Sequence, residues 1–190
     1  MTIDSQRALL RIAREAIEEV LTGEHSATFA RIAQDPPFEL MGEEGAFVTL
    51  KQRGLSPSVA GSLRGCIGNI ISTGPLYKLI KHLACESAFH DPRFPPVRIT
   101  ELSQLRLEIS ILTVPKPISS PDKIVVGRDG VLLTKGIHRS VFLPQVAVEQ
   151  EWDREEMLNH LAMKAGLYPS AWQQESCRFE VFQAEIFQED

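Results

Sequence analysis

The residues best equipped for chemistry stand together in Ser62-Leu63-Arg64-Gly65-Cys66-Ile67-Gly68-Asn69-Ile70. Glycine inside a strand weakens it and marks a bulge, or a close approach by a ligand or a second stretch of backbone. If the strand is regular, Arg64, Cys66 and Gly68 share one face. A guanidinium then stands near a thiol beside an empty glycine surface, and a nearby cation favours the thiolate. Cys66 is therefore a candidate nucleophile or ligand contact, with Arg64, Gly65 and Gly68 around it. The same segment also suits a small buried cysteine whose glycines only permit tight packing, and both readings stand at this point.

Other polar residues offer partners for the thiol. Glu108 and Ser110 alternate with Leu107, Ile109 and Ile111, so they share the polar side of a strand. Glu108 there is either a general base beside Cys66 or part of a solvated face. Asp91 and Arg93 either pair with each other or line the same site as Arg64. Gln145, after Pro144, orients a ligand through its amide or makes a turn contact. The histidines His25, His82, His90, His138 and His160 show no paired metal-ligand spacing; His90, before Asp91, is the best placed as a base. Cys85 and Cys177 read as structural. Walker, Gly-x-Gly-x-x-Gly, Gly-x-Ser-x-Gly and His-Glu-x-x-His patterns are absent from the sequence, so neither a metal nor a cofactor is expected.

The elements that must position these residues follow from periodicity. Leu9, Ile12, Ala13, Ala16, Ile17 and Val20 recur at helical spacing after a cap at Asp4 or Ser5, and the helix ends by Gly23. Strands are expected at Ala46 to Gln52 and Ser62 to Ile70, joined by a wide hairpin loop from Gly54 to Gly61. Leu76, Leu79, Ile80, Leu83 and Ala84 outline a second helix to about Phe89, which the prolines of Asp91-Pro92-Arg93-Phe94-Pro95-Pro96 must break. Leu105 to Thr113 is the clearest strand, and shorter ones are expected at Lys123 to Val126, Val131 to Lys135 and His138 to Leu143. A last helix starts near Asp153 and is capped by Gly166, and Arg178 to Phe187 alternates as a closing strand. Strands and helices mix without a βαβ repeat. The expected fold is α+β, a mainly antiparallel sheet flanked by helices, in a single domain over residues 1–190 that the proline-rich turns could divide into two lobes.

Charge and cysteine usage narrow the partners. A net charge of −5 gives no global attraction to phosphate backbones or anionic lipid, and no aromatic-basic stripe compensates, so nucleic acid is disfavoured. The opening stretch is neither a basic-then-apolar leader nor a membrane span. Three widely spaced cysteines, an odd number without a C-x-x-C pair, imply reduced thiols and a cytoplasmic setting.

Leu63-Arg64-Gly65-Cys66-Ile67-Gly68 resembles the signature hexapeptide of the AMMECR-type domain family, also called AmmeMemoRadiSam system protein A. Further blocks are similar and in the same order: Gly45-Ala46-Phe47-Val48-Thr49-Leu50, the Asp91 to Pro96 segment, Glu108 to Thr113, Leu143-Pro144-Gln145-Val146-Ala147 and Lys164-Ala165-Gly166-Leu167. The chain departs from the family at the insertion-like Leu55 to Gly61 and at His138-Arg139-Ser140-Val141. The resemblance implies an α+β fold with a larger and a smaller lobe and a groove between them. It also implies an association with Memo-type and radical S-adenosylmethionine (radical SAM) proteins. Two functions follow as expectations: a component that binds a small molecule, peptide or partner with a Cys66-dependent activity, or a noncatalytic adaptor.

Overall fold

Apolar residues at three-and-four spacing build the first helix, α1 (Ile3–Thr22), which buries Leu9, Ile12, Ala13, Ala16 and Ile17. Val20 falls off that stripe and is 59% exposed. The cap is Thr2 rather than Asp4 or Ser5: its side chain accepts the Ser5 N–H, while the Ser5 hydroxyl is given to Glu39 Oε2 at 2.6 Å. Gly23, at φ +80°, ends the helix in the left-handed conformation that glycine adopts without strain. A short helix absent from the sequence reading, α2 (Ala27–Gln34), follows. Glu15 of α1 holds its start by accepting from the Ser26 and Thr28 hydroxyls, each at 2.7 Å, and from the Thr28 N–H at 2.9 Å.

The computed structural model describes residues 1–53, 61–72 and 74–190. Most of the expected hairpin loop and of the insertion-like segment, residues 54–60, lies outside them. The fold is α+β with two antiparallel four-stranded sheets, and the chain divides into two compact units, residues 1–111 with 185–190 and residues 112–184.

In the first unit the sheet runs in the order β2 (Leu63–Ile71), β1 (Glu44–Gln52), β3 (Leu105–Leu112), β8 (Ala184–Gln188). Val48, Leu50, Leu107 and Ile109 are buried in one core with α1 and with α3 (Leu76–Cys85). Because strand side chains alternate, Thr49, Lys51, Arg106, Glu108 and Ser110 belong to the opposite face. The second helix of the sequence reading ends earlier than Phe89: α3 stops at Cys85 and passes into a single π-helical turn, Glu86–His90.

The second unit holds the sheet β4 (Lys116–Ile118), β7 (Arg178–Phe182), β5 (Gly130–Lys135), β6 (His138–Phe142), in that order, with helices α4 (Pro144–Glu149) and α5 (Arg154–Lys164). Asp153 and Glu156 form a reciprocal capping box at the start of α5, and Gly166 follows its end at φ +76°. The strand expected at Lys123 to Val126 does not form. A 3-10 turn occupies Pro121–Lys123, and the Asp129 carboxylate draws in the Val125 N–H at 2.9 Å, bending the segment instead of extending it. The expected closing strand is two strands. At Gln183 the backbone exchanges bonds with Thr113, accepting its N–H and donating to its hydroxyl, both at 2.9 Å, and this divides β7 of the second sheet from β8 of the first. No helix among the described residues is long and apolar enough to cross a membrane.

One side chain ties the first unit together across distant segments. Arg14 on α1 donates to the carbonyls of Leu102 (2.8 Å) and Leu105 (2.9 Å) and clasps the Glu189 carboxylate. Glu189 in turn accepts the Leu107 N–H at 2.9 Å and gives its own N–H to the Leu107 carbonyl. Both side chains are less than one-fifth exposed, so removing one leaves the other charge poorly solvated. Arg14→Ala is expected to destabilise the protein by about 3 kcal/mol, read as a lower urea midpoint; an unchanged midpoint would show that the clasp does not hold β8.

Candidate functional site

Cys66 lies on β2, the edge strand of the first sheet, directly opposite Thr49 of β1. The Thr49 hydroxyl donates to the Cys66 sulfur at 3.2 Å. The flanking glycines are explained from within the protein. A Cβ at Gly65 would stand 2.1 Å from the Ser87 carbonyl, and one at Gly68 would stand 2.2 Å from the Phe47 ring. The open glycine surface expected from the sequence is thus filled, at Gly65 by the π-helical turn and at Gly68 by an aromatic ring. Ser87 also stitches the strands: its hydroxyl accepts the Ile67 N–H at 2.9 Å and donates to the Val48 carbonyl at 2.8 Å.

Asp91 and Arg93 hold the free edge of β2. Asp91 accepts the Cys66 N–H at 2.9 Å, the Arg93 N–H at 3.1 Å and two guanidinium bonds from Arg93 at 2.9 and 2.7 Å. Arg93 completes the clamp by donating to the Cys66 carbonyl at 3.0 Å. The Arg93 guanidinium bonds, together with the two backbone N–H groups, hold the buried Asp91 carboxyl far below the usual carboxylate range.

Arg64 departs from the expected geometry. Leu50 faces Gly65 but Lys51 faces Leu63, so Arg64 is the extra residue of a β-bulge. The bulge breaks the alternation that would set Arg64 beside Cys66. Its guanidinium forms a bidentate pair with Glu101 at 3.0 and 2.9 Å. Burial pulls the Glu101 carboxyl up, but the bonds from Arg64 and from the Arg98 N–H outweigh it, and the net shift is down. The cation that acts on the thiol is Arg93, not Arg64.

Glu108 reaches Lys51 Nζ at 2.8 Å, and its charge is felt at Cys66. Ser110, on the same side of β3, is buried. Cys66, Glu108, Asp91 and Arg93 therefore form one neighbourhood, to which Thr49 and Lys51 are added; β1 alternation would have put those two on the polar side. Gln145 belongs to α4 in the second unit, where its Oε1 is buried without a hydrogen-bond partner among the described residues. His90 pairs with Glu86 at 3.0 Å on an exposed side chain. Among the described residues no group of three or more His, Cys, Asp or Glu is placed to hold a metal ion.

Burial pushes the Cys66 thiol up; Thr49 and Arg93 pull it down, and Asp91 and Glu108 add to the rise, leaving it above its ordinary value. At neutral pH the group is a protonated thiol. Cys85 and Cys177 are also raised by burial, and all three thiols are free.

The family model AMMECR1 matches residues 10–187. A protein of Pyrococcus furiosus is 44% identical over 188 residues, covering 96% of this chain and 87% of its own. One from Methanothermobacter thermautotrophicus is 41% identical, covering 98% of this chain and 95% of its own. The crystal structure of an uncharacterized protein from Pyrococcus horikoshii superimposes with a TM-score of 0.83 at 44% identity, covering 96% of this chain and 90% of that one.

Two outcomes follow from the electrostatics. Native Cys66 is expected to react with iodoacetamide at pH 7 more slowly than a free cysteine, and Arg93→Gln should slow it further, because a cation that favours the thiolate is lost; peptide mass spectrometry gives the rates, and labelling faster than a free thiol would contradict the raised value. For Asp91 the folded pKa is depressed, so its stabilisation is fully present above the unfolded carboxylate value of about 4 and is lost as pH falls through the folded value. The stability gap between wild type and Asp91→Asn should therefore be constant from neutral pH down to about 4 and narrow as the pH falls from there toward the folded value. A gap that stays unchanged in acid would remove the charge as its cause.

Proposed function

This chain belongs to the AMMECR1 family, and we propose that it works as a ligand-binding component rather than as a thiolate-driven catalyst. Its binding surface is the polar side of the first sheet, where Thr49, Lys51, Cys66 and Glu108 present a hydroxyl, an ammonium, a thiol and a carboxylate. The observation that carries this reading is the state of Cys66. The thiol is protonated, its sulfur is already engaged by Thr49, and Asp91 and Arg93 fix its backbone on both sides. Glu108, the base that catalysis would need, is committed to Lys51. Such a set is rigid and polar, which suits recognition.

Memo-type and radical SAM proteins are the partners that this component serves, an assignment supported by the resemblance of the hexapeptide and its accompanying blocks. Unpaired thiols support a reducing, cytoplasmic setting. A Cys66-dependent step is the second reading, favoured by one feature: both Thr49 and Arg93 act on the sulfur in the direction of the thiolate.

The test is a backbone amide NMR titration of the isotope-labelled protein with a metabolite pool from a cell extract, freed of macromolecules. Shifts are expected to cluster at Thr49, Lys51, Cys66 and Glu108 and to persist in Cys66→Ser. Shifts clustered elsewhere would reject this surface, and a covalent adduct on Cys66 with loss of the response in Cys66→Ser would favour the second reading.

A further inference from the structure

The polar side of the first sheet carries a cation without a counterpart among the described residues. Arg106 and Glu108 stand two residues apart on β3, so their side chains leave the same face of the strand roughly 7 Å apart along it. Glu108 is matched by Lys51 Nζ at 2.8 Å. The Arg106 side chain makes no hydrogen bond or ion pair with any described residue, and its Nε is buried without an acceptor among them. Arg106 as a whole is half-buried, and a desolvated guanidinium N–H lacking an acceptor is costly. Here the cation stays unmatched on the same face of the sheet as Lys51, whose ammonium uses one N–H on Glu108 and has others to give.

The surroundings strengthen any charge interaction at this place. Thr49 and Ser110, on the same face, are 8% and 1% exposed, so this part of the sheet is largely shielded from water. Charges in such a setting are less screened than in water. A planar guanidinium and a flexible ammonium on one face match the oxygens of a carboxylate or a phosphate group, the first by its fork of donors and the second as a point charge.

We propose that Arg106 and Lys51 form an anion subsite, which takes the carboxylate or phosphate group of the ligand bound on this face. The assignment rests on the reading of that face as the binding surface and names the group that the surface recognises. The thiol of Cys66 and the hydroxyl of Thr49, on the neighbouring strands, then meet the uncharged part of the same ligand.

The probes are inorganic phosphate and acetate, titrated separately into the full chain at constant ionic strength with chloride as the reference ion. The readouts are the Arg106 Nε–H resonance and the amides of Lys51 and Glu108. A saturable shift with phosphate, acetate or both, absent with chloride, is expected, and the tighter of the two identifies the source of the anionic group. Arg106→Gln should weaken that binding by about tenfold or more, and Arg106→Lys by less because the charge is kept. The location of the shifts in the wild-type protein tests the subsite whether or not the variants fold. Shifts that follow chloride equally, that do not saturate, or that survive Arg106→Gln in a folded protein would overturn it. If both probes are silent at Arg106 while the metabolite pool still moves Thr49 and Cys66, the anion assignment alone fails; if the pool is silent there too, the binding face itself is rejected.

Discussion

An edge strand presents backbone groups that must find partners, and at Cys66 the partners are side chains. The Asp91 carboxylate takes the N–H, Arg93 takes the carbonyl, and the two side chains are bonded to each other. Together they imitate one residue of a neighbouring strand. This closes the sheet edge against pairing with another chain and holds the sulfur in a fixed position. The prolines that follow Asp91 stop the preceding helix and help set the turn from which both side chains reach back.

The same strand is held on its other side by Ser87. A π-helical turn widens the helix by one residue, and here it brings the Ser87 backbone against Gly65 and its hydroxyl between β1 and β2. Any side chain at Gly65 would collide with a carbonyl, which cannot rotate away as a side chain would. Gly68 has a different reason, since the facing Phe47 ring covers it. The second unit repeats that device: Phe182 covers Gly130 on the strand opposite, where a Cβ would meet the ring at 2.4 Å. In both sheets an aromatic side chain supplies the contact that glycine lacks.

Much of the scaffold was legible because burial enforces periodicity. The α1 stripe, the β3 alternation, the start of α5 and the caps at Gly23 and Gly166 all express local rules. For the candidate site, the sequence shows which residues come to lie together better than it shows their geometry. Cys66, Asp91, Arg93 and Glu108 form one neighbourhood, whereas Arg64 would stand beside the thiol only in a regular strand. A bulge is a property of the pairing between two strands, and neither strand announces it alone. Thr49 and Lys51 are not legible in the same way, because a threonine and a lysine on a strand carry no signal until the register is known. The short helices α2 and α4 were missed for a related reason, since each is too brief to show a full repeat and depends on contacts such as Glu15 at Ser26 and Thr28.

The return of β8 to the first sheet has a consequence for how the chain is made. Strands β3 and β8 are neighbours in one sheet, yet the whole second unit is inserted between them in sequence. During synthesis the first unit waits through translation of the whole insert before its final strand and the Glu189 partner of Arg14 exist. Until that strand arrives, β3 is an unpaired edge and Arg14 a charge without its carboxylate. The first segment to be synthesised is therefore the last to be sealed, and its exposure on the ribosome lasts for the time needed to translate the insert.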